Sequence, residues 1–246
     1  MDQNEARPAL TTYEDLAGRW DHAMVRPDLA DEDIAAGCEM AESYGVACVS
    51  VRPTDVELAA RLLGGTRVAV GSVVSFPHGD ATTAVKIYET RDLLRRGAKE
   101  IDMVINIGKL RSRQFQYIES ELLQVSNACH ESGALLKVIL ENAYLTEDLK
   151  VIALKICKRC EVDFVKTSTG FAPEGWTAAD VTLMKRVLKD ECRIKAAGGI
   201  DTVEAALEAY ELGADRIGGT RTVKVLDEWR KTLAAAAVPV SESTSL

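Results

Sequence analysis

Eight short apolar runs, each followed by a helical pattern, repeat through about 210 residues of the chain, and this rhythm limits what it can fold into. The runs cover residues 20–25, 46–51, 67–74, 100–105, 135–140, 164–166, 193–196 and 215–218. They are short and rich in Val and Ile, as parallel strands covered on both faces must be. Helical patterns lie between them, and Gly45, Gly97, Gly133 and Gly213 stop four of these. The spacing predicts Asp28 or Asp31 as the cap of a helix over 32–43, Pro53 at the start of the next, and one continuous helix over 112–132. A short leading helix is expected over 12–18, and a last one over 222–231. Eight β/α units with no long linker predict an α/β fold, a single (β/α)8 TIM barrel with a short N-terminal helix. The expected organisation is one domain over 1–246, with its core at about 20–232 and a mobile tail at 234–246. An open doubly wound sheet is the alternative. It would carry a glycine fingerprint after the first strand, and Val25-Arg26-Pro27-Asp28 is nothing like one.

Composition excludes some functions. A hydrophobic content of 47% supplies a sizeable core, while a net charge of −8 disfavours nucleic acid and anionic membranes as partners. An anionic substrate would then need a local basic or backbone-amide site. No run of about 18 apolar residues is present to span a membrane. Residues 1–12 are polar and lack the apolar stretch of a secretory signal, so a cytoplasmic location is expected. Six cysteines in a chain this long are not a disulfide framework. Cys157 and Cys160 form a C-x-x-C inside a helical pattern with no second pair, which reads as structural.

In a (β/α)8 barrel the site lies at the C-terminal ends of the strands. That rule selects Asp102 and Asn106 from strand four, Lys137 and Glu141 from strand five, Lys166 from strand six and Lys195 from strand seven. Lys166 ends an apolar strand, where burying a cation is costly, and a loop of hydroxyls and glycine follows it. We read it as an amine nucleophile that forms a Schiff base with a carbonyl substrate. A free lysine is neutral in only about one copy in 2,500 at pH 7, so its pKa must fall to near 7, roughly 4–5 kcal/mol of differential interaction. Partial burial and a neighbouring cation supply such a shift, and Lys195 is that neighbour. A carboxylate touching Lys166 would oppose it, so Asp102 is expected to meet Lys195 and to carry protons through a water or substrate hydroxyl.

Turns at Thr169-Gly170, Gly198-Gly199 and Gly218-Gly219 each precede a helix, where backbone N–H groups can cradle a phosphate. The three histidines share no metal-ligand spacing, and only His22, beside Asp21, is placed near the mouth. Cys48 either points inward as a thiol at the mouth or sits in the core.

These stretches resemble the deoxyribose-phosphate aldolases, a branch of the class I aldolases. The matching segments are Glu100-Ile-Asp-Met-Val-Ile-Asn106, Phe164-Val-Lys-Thr-Ser-Thr-Gly-Phe171, Lys195-Ala-Ala-Gly-Gly-Ile200 and Ala214-Asp-Arg-Ile-Gly218. Weaker matches are Asp21-His22 with Pro27, Ala47-Cys48-Val49 and Phe76-Pro-His-Gly79. The resemblance implies reversible cleavage of 2-deoxy-D-ribose 5-phosphate to acetaldehyde and D-glyceraldehyde 3-phosphate, with no metal or other cofactor. It implies that Lys166 forms the Schiff base, Lys195 lowers its pKa and Asp102 relays protons. Thr169 would bond a substrate hydroxyl, and Gly170, Gly198, Gly199, Gly218 and Gly219 would hold the phosphate. Asp21 and Cys48 join the expected substrate-binding set. The chain departs from the family at Ala23, where a threonine is usual, and in Gly219-Thr220-Arg221. Thr220 would replace the family's serine, and Arg221 would strengthen phosphate binding or select another anion. No tyrosine follows Tyr210, whereas many members end in one. Two other readings stay open: a Schiff-base aldolase or transferase for another phosphorylated carbonyl compound, and a non-catalytic sugar-phosphate binding protein. A homodimer is the expected assembly.

Overall fold

The computed structural model describes residues 7–236. Eight parallel strands close into one barrel in sequence order, each pairing with the next and β8 returning to β1. They are β1 (Trp20–Met24), β2 (Cys48–Val51), β3 (Ala69–Val74), β4 (Glu100–Val104), β5 (Leu135–Ile139), β6 (Phe164–Lys166), β7 (Arg193–Ala197) and β8 (Arg216–Gly219). Among the described residues the helices are α1 (Tyr13–Ala17), α2 (Asp31–Tyr44), α3 (Val56–Leu62), α4 (Thr83–Arg96), α5 (Ile107–Arg111), α6 (Phe115–Glu131), α7 (Glu147–Arg159), α8 (Ala178–Leu188), α9 (Val203–Glu211) and α10 (Thr222–Ala236). The expected barrel and its short N-terminal helix are therefore present. None of these helices is long and apolar enough to cross a membrane.

Side chains alternate along each strand, and the two faces have different chemistry. The residues facing the helices, such as Val49, Val70, Ile101, Met103, Val138, Val165, Ile194 and Ile217, join the continuous apolar core. The intervening residues face the barrel axis, and many are charged: Asp21, Glu100, Asp102, Lys137, Lys166, Lys195 and Arg216. Barrel interiors are usually filled with branched apolar side chains. Here only one face of the sheet follows that pattern.

Some local expectations are corrected. Residue 30 caps α2, and neither Asp28 nor Asp31 does; the Asp33 carboxylate accepts the Ala30 N–H at 2.8 Å from inside the first turn. The expected helix over 112–132 is two helices, α5 and α6, separated by Ser112–Gln114 with Arg113 at φ 57°. Asn106 starts α5, its side chain accepting the Lys109 N–H at 3.0 Å, so it is a cap. The last helix continues to Ala236, which makes the first residues of the expected tail helical. The remainder of that tail, 237–246, lies outside the described residues. All six cysteines are buried and unpaired, and burial holds the Cys157 thiol well above its usual pKa, as a structural C-x-x-C requires.

A buried ion pair braces the outside of β4. Lys86 of α4 donates to Glu121 of α6 at 2.8 Å and to the Val104 carbonyl at 2.8 Å. Both side chains are wholly buried. Removing one partner should strand a dry charge, so Lys86→Met is expected to destabilise by about 3–5 kcal/mol, while Lys86→Met with Glu121→Leu recovers most of that loss. Urea unfolding of the two variants against the parent measures the difference.

Candidate active site

Three ammonium groups converge on one carboxylate inside the barrel. Asp102 of β4 accepts from Lys166 at 2.8 Å and Lys195 at 2.9 Å through Oδ2, and from Lys137 at 2.9 Å through Oδ1. The strand register explains the meeting. Asp102 stands beside Lys137 on β5, and Lys166 stands beside Lys195 on β7. Below them, Lys137 also meets Asp21 at 3.0 Å and Glu100 at 2.5 Å, and Lys195 meets Asp21 at 2.5 Å. Arg216 closes the network, bonding Glu100 at 2.9 Å and pairing with Asp21. With Lys166 neutral, three carboxylates face three cations and the formal charges balance.

The balance is reflected in the titration of Lys166. Burial, with the residue only 7% exposed, pushes its pKa down to about 8. The adjacent Asp102 carboxylate works the other way, and the Lys195 and Lys137 cations assist the fall. Asp102 therefore does touch Lys166, contrary to expectation. The depression survives because desolvation of the ammonium outweighs that contact. Asp102 is desolvated too, but Lys137, Lys166 and Lys195 hold its carboxyl well below the usual range. Lys137 is raised well above its usual value, since Asp102, Asp21 and Glu100 outweigh its burial.

A cavity of about 300 Å³ opens above this cluster at the C-terminal ends of the strands. Lys166 and Lys195 form part of its floor, and Gly170, Gly198, Gly199, Gly218, Gly219 and Thr220 part of its wall. Gly198 and Gly199 take φ values of 95° and 82°, open to glycine and strained for other residues. Gly218 has a different reason: a Cβ there would lie 2.9 Å from Lys195 Cε, so its hydrogen makes room for the lysine.

The hydroxyl loop after β6 is largely spent on holding itself. Thr167 Oγ1 donates to the Ala197 carbonyl and accepts its N–H, both at 3.0 Å. Ser168 Oγ accepts the Gly170 N–H at 3.0 Å. Thr169 lines the cavity, but its hydroxyl donates to the buried Glu141 carboxylate and accepts the Phe171 N–H at 3.0 Å.

Several expected residues stand elsewhere. Asp21 reaches the cavity floor with its oxygens already taken by Lys137, Lys195 and Arg216. Cys48 is fully buried below the floor against Gly71, and burial holds its thiol well above the usual pKa. It belongs to the core. Asp21, Cys48 and Glu100 come close enough to share a metal ion, but both carboxylates are paired with cations and the thiol stays protonated. Arg221 is exposed and outside the cavity wall. His22 accepts or donates at 2.7 Å to Thr222 Oγ1, and burial lowers its pKa to about 4, so it is neutral. Ser50 was not singled out from sequence, yet it lines the cavity with a buried hydroxyl that has no hydrogen-bond partner among the described residues. The alternation of β2 was the available signal, since Cys48 and Ser50 share its inward face. Arg26, Phe76 and Phe171 also line the cavity, the two rings meeting edge to face at 5.3 Å between centroids.

The sequence model of the DeoC/LacD family aldolases matches residues 1–222. A deoxyribose-phosphate aldolase of Caldanaerobacter subterraneus subsp. tengcongensis is 42% identical over 217 residues, 88% of this chain and 94% of the relative. One of Thermococcus gammatolerans is 44% identical over 215 residues, 87% of this chain and 96% of the relative. Among solved structures, the deoxyribose phosphate aldolase of Aeropyrum pernix, described as tetrameric, aligns with a TM-score of 0.85 at 30% identity, covering 91% of this chain and 94% of its own.

NMR of protein labelled at the lysine side chains should resolve one lysine, Lys166, titrating near pH 8. It is charged below that value and neutral above it. Lys195→Leu removes a cation that favours the neutral form, and the Lys166 titration should move to higher pH.

Proposed function

This chain belongs to the DeoC/LacD family of aldolases, and on that premise we propose that it cleaves 2-deoxy-D-ribose 5-phosphate reversibly to acetaldehyde and D-glyceraldehyde 3-phosphate through a Schiff base on Lys166. One observation carries the mechanism: a buried lysine with its pKa lowered to about 8, bonded to Asp102 on the floor of a cavity at the C-terminal ends of the strands. A lysine of pKa near 8 is neutral in roughly a tenth of molecules at pH 7, a gain of about two orders of magnitude over a free amine.

Neutral Lys166 attacks the C1 aldehyde of the open-chain sugar and forms a carbinolamine. Loss of water leaves an iminium, which serves as the electron sink. Removal of the C3 hydroxyl proton then breaks the C2–C3 bond. The C3–C5 fragment leaves as D-glyceraldehyde 3-phosphate, and C1–C2 stays on Lys166 as an enamine. Protonation at C2 and hydrolysis release acetaldehyde and restore the amine. Asp102 and Lys195 share one hydrogen bond at 2.9 Å, which suits them to pass protons through a water during these steps. The positive charge of the iminium sits where the ammonium of Lys166 sat, so Asp102 stabilises the charged intermediate as it does the protonated lysine.

The turn at Gly198-Gly199 precedes α9, and Thr220 precedes α10; Gly218 and Gly219, expected in a turn, are the last residues of β8, so the N–H groups offered to the phosphate come from Gly198-Gly199 and from Thr220 onward. The hydroxyl of Thr169 keeps one lone pair for a substrate hydroxyl, and Ser50 offers an unpartnered one. Arg221 was the feature that favoured another anionic substrate, and its place outside the cavity wall removes that support. We read the whole chain as one barrel domain acting as a homodimer in the cytoplasm; sedimentation measures the assembly.

Borohydride added with substrate should leave a reduced adduct on Lys166, mapped by mass spectrometry, and adduct formation should rise with pH through about 8. No adduct at Lys166 sinks the mechanism, and Lys166→Leu should release no acetaldehyde. Asp102→Asn separates electrostatics from proton transfer. It removes the group that raises the Lys166 pKa, so adduct formation should shift to lower pH, while turnover falls about 100-fold or more with the relay broken.

A further inference from the structure

We propose that Arg26 neutralises the phosphate of the substrate, exchanging its contact with Asp28 for the phosphate oxygens. This rests on the sugar-phosphate reading above and names the cation its site uses. A phosphate monoester carries close to two negative charges at neutral pH. A chain of net charge −8 offers no general attraction to it, so the compensating charge must be local.

Among the described residues lining the cavity, the cationic side chains are Lys166, Lys195 and Arg26. Both lysines are bound to Asp102 at the floor, and the nitrogen of Lys166 is committed to the carbonyl. Arg26 follows β1 at the rim. β1 pairs with β8 at Asp21–Gly218 and His22–Gly219, so the loop that carries Arg26 stands beside the end of β8 and Thr220. The cation and the backbone donors are therefore on one side of the cavity. Asp201, the other charged side chain of the rim, has the wrong sign for a phosphate.

The present partner of Arg26 is easily exchanged. Its Nε donates to Asp28 Oδ1 at 2.9 Å, with a second contact from Nη2 to Oδ2. The two side chains are 62% and 58% exposed, and an ion pair so open to water contributes little. A dianion held against backbone amides is a stronger partner, and the guanidinium fork matches two phosphate oxygens at once. The backbone beneath is anchored separately. Arg52 donates to the carbonyls of Arg26 at 3.4 Å and Pro27 at 3.1 Å, and is itself held by Asp55 at 2.6 Å. The side chain can turn inward while its loop stays in place.

The test is calorimetric binding of glycerol 3-phosphate, an unreactive phosphate ester, to the parent, Arg26→Gln, Arg26→Lys and Asp28→Asn. Loss of one charge-assisted contact should weaken binding to Arg26→Gln by roughly 10- to 100-fold. Arg26→Lys should be intermediate, and Asp28→Asn should bind at least as tightly as the parent. In cleavage assays, Arg26→Gln should lose at least ten times more kcat/KM on 2-deoxyribose 5-phosphate than on 2-deoxyribose, chiefly through KM. Equal loss on both sugars, parent-like binding by Arg26→Gln, no binding by the parent, or an Asp28→Asn defect like that of Arg26→Gln would each overturn the proposal. Absence of acetaldehyde release from the parent would instead sink the activity, and the calorimetry would still decide the role of Arg26.

Discussion

One carboxylate shared by three ammonium groups sets the terms for the rest of the barrel. Asp102 can stay ionised in a dry interior only because Lys137, Lys166 and Lys195 surround it, and the lysines can be dry only because Asp102 is there. The second row of Asp21, Glu100 and Arg216 follows from the first, since Lys137 and Lys195 need more than one carboxylate between them. Space is the remaining condition. Gly218 leaves room for the Lys195 chain, and a Cβ at Gly71 would lie 2.8 Å from Cys48 Sγ in the layer below. The apolar face of each strand, turned to the helices, supplies the hydrophobic burial that an axis full of charge cannot.

Lys166 occupies the one unbalanced position in this network. Its neighbours are neutral in sum without it, so its proton is the surplus charge of the cluster. Burial favours losing that proton and Asp102 favours keeping it, and the result near 8 lies between a free amine and a fully desolvated one. A Schiff-base lysine has to be neutral to attack and cationic afterwards, as an iminium. A carboxylate in contact serves the second state at some cost to the first. The burial that offsets this cost comes from the barrel walls, and not mainly from the neighbouring cation.

Floor and rim divide the work. The floor is built from strand residues locked by ion pairs, while the rim is built from glycine turns, two aromatic rings and an exposed arginine. The hydroxyls after β6 belong with the rigid part. Thr167 ties β6 to β7, and Thr169 ties the loop to Glu141. A floor locked by ion pairs suits a reaction in which a substrate carbonyl must be placed closely.

The architecture was legible in the chain because it depends on local chemistry. Short Val/Ile runs and helical spacing alternate eight times, with glycine stopping four of the helices, and closure in sequence order needs no more than that. The buried lysines were legible too, since a lysine inside an apolar strand stands out against its neighbours. Local rules failed where two signals overlapped. The helical pattern over 112–132 hid a break at Arg113, and Ala30 serves as a cap position because Asp33 reaches back to it. The sequence by itself determined the barrel and the strand ends at which Asp102, Lys137, Lys166 and Lys195 stand. Only the tertiary structure decided that Asp102 touches Lys166, that Asp21 is spent on ion pairs, that Cys48 lies under the floor, and that Arg26 rather than Arg221 lines the cavity. The physical reason is distance along the chain. Asp102 is 64 residues from Lys166 and 93 from Lys195, and Asp21 is 116 from Lys137. Strand register and barrel closure bring such groups within 3 Å, and no local pattern of residues records which carboxylate each lysine will meet.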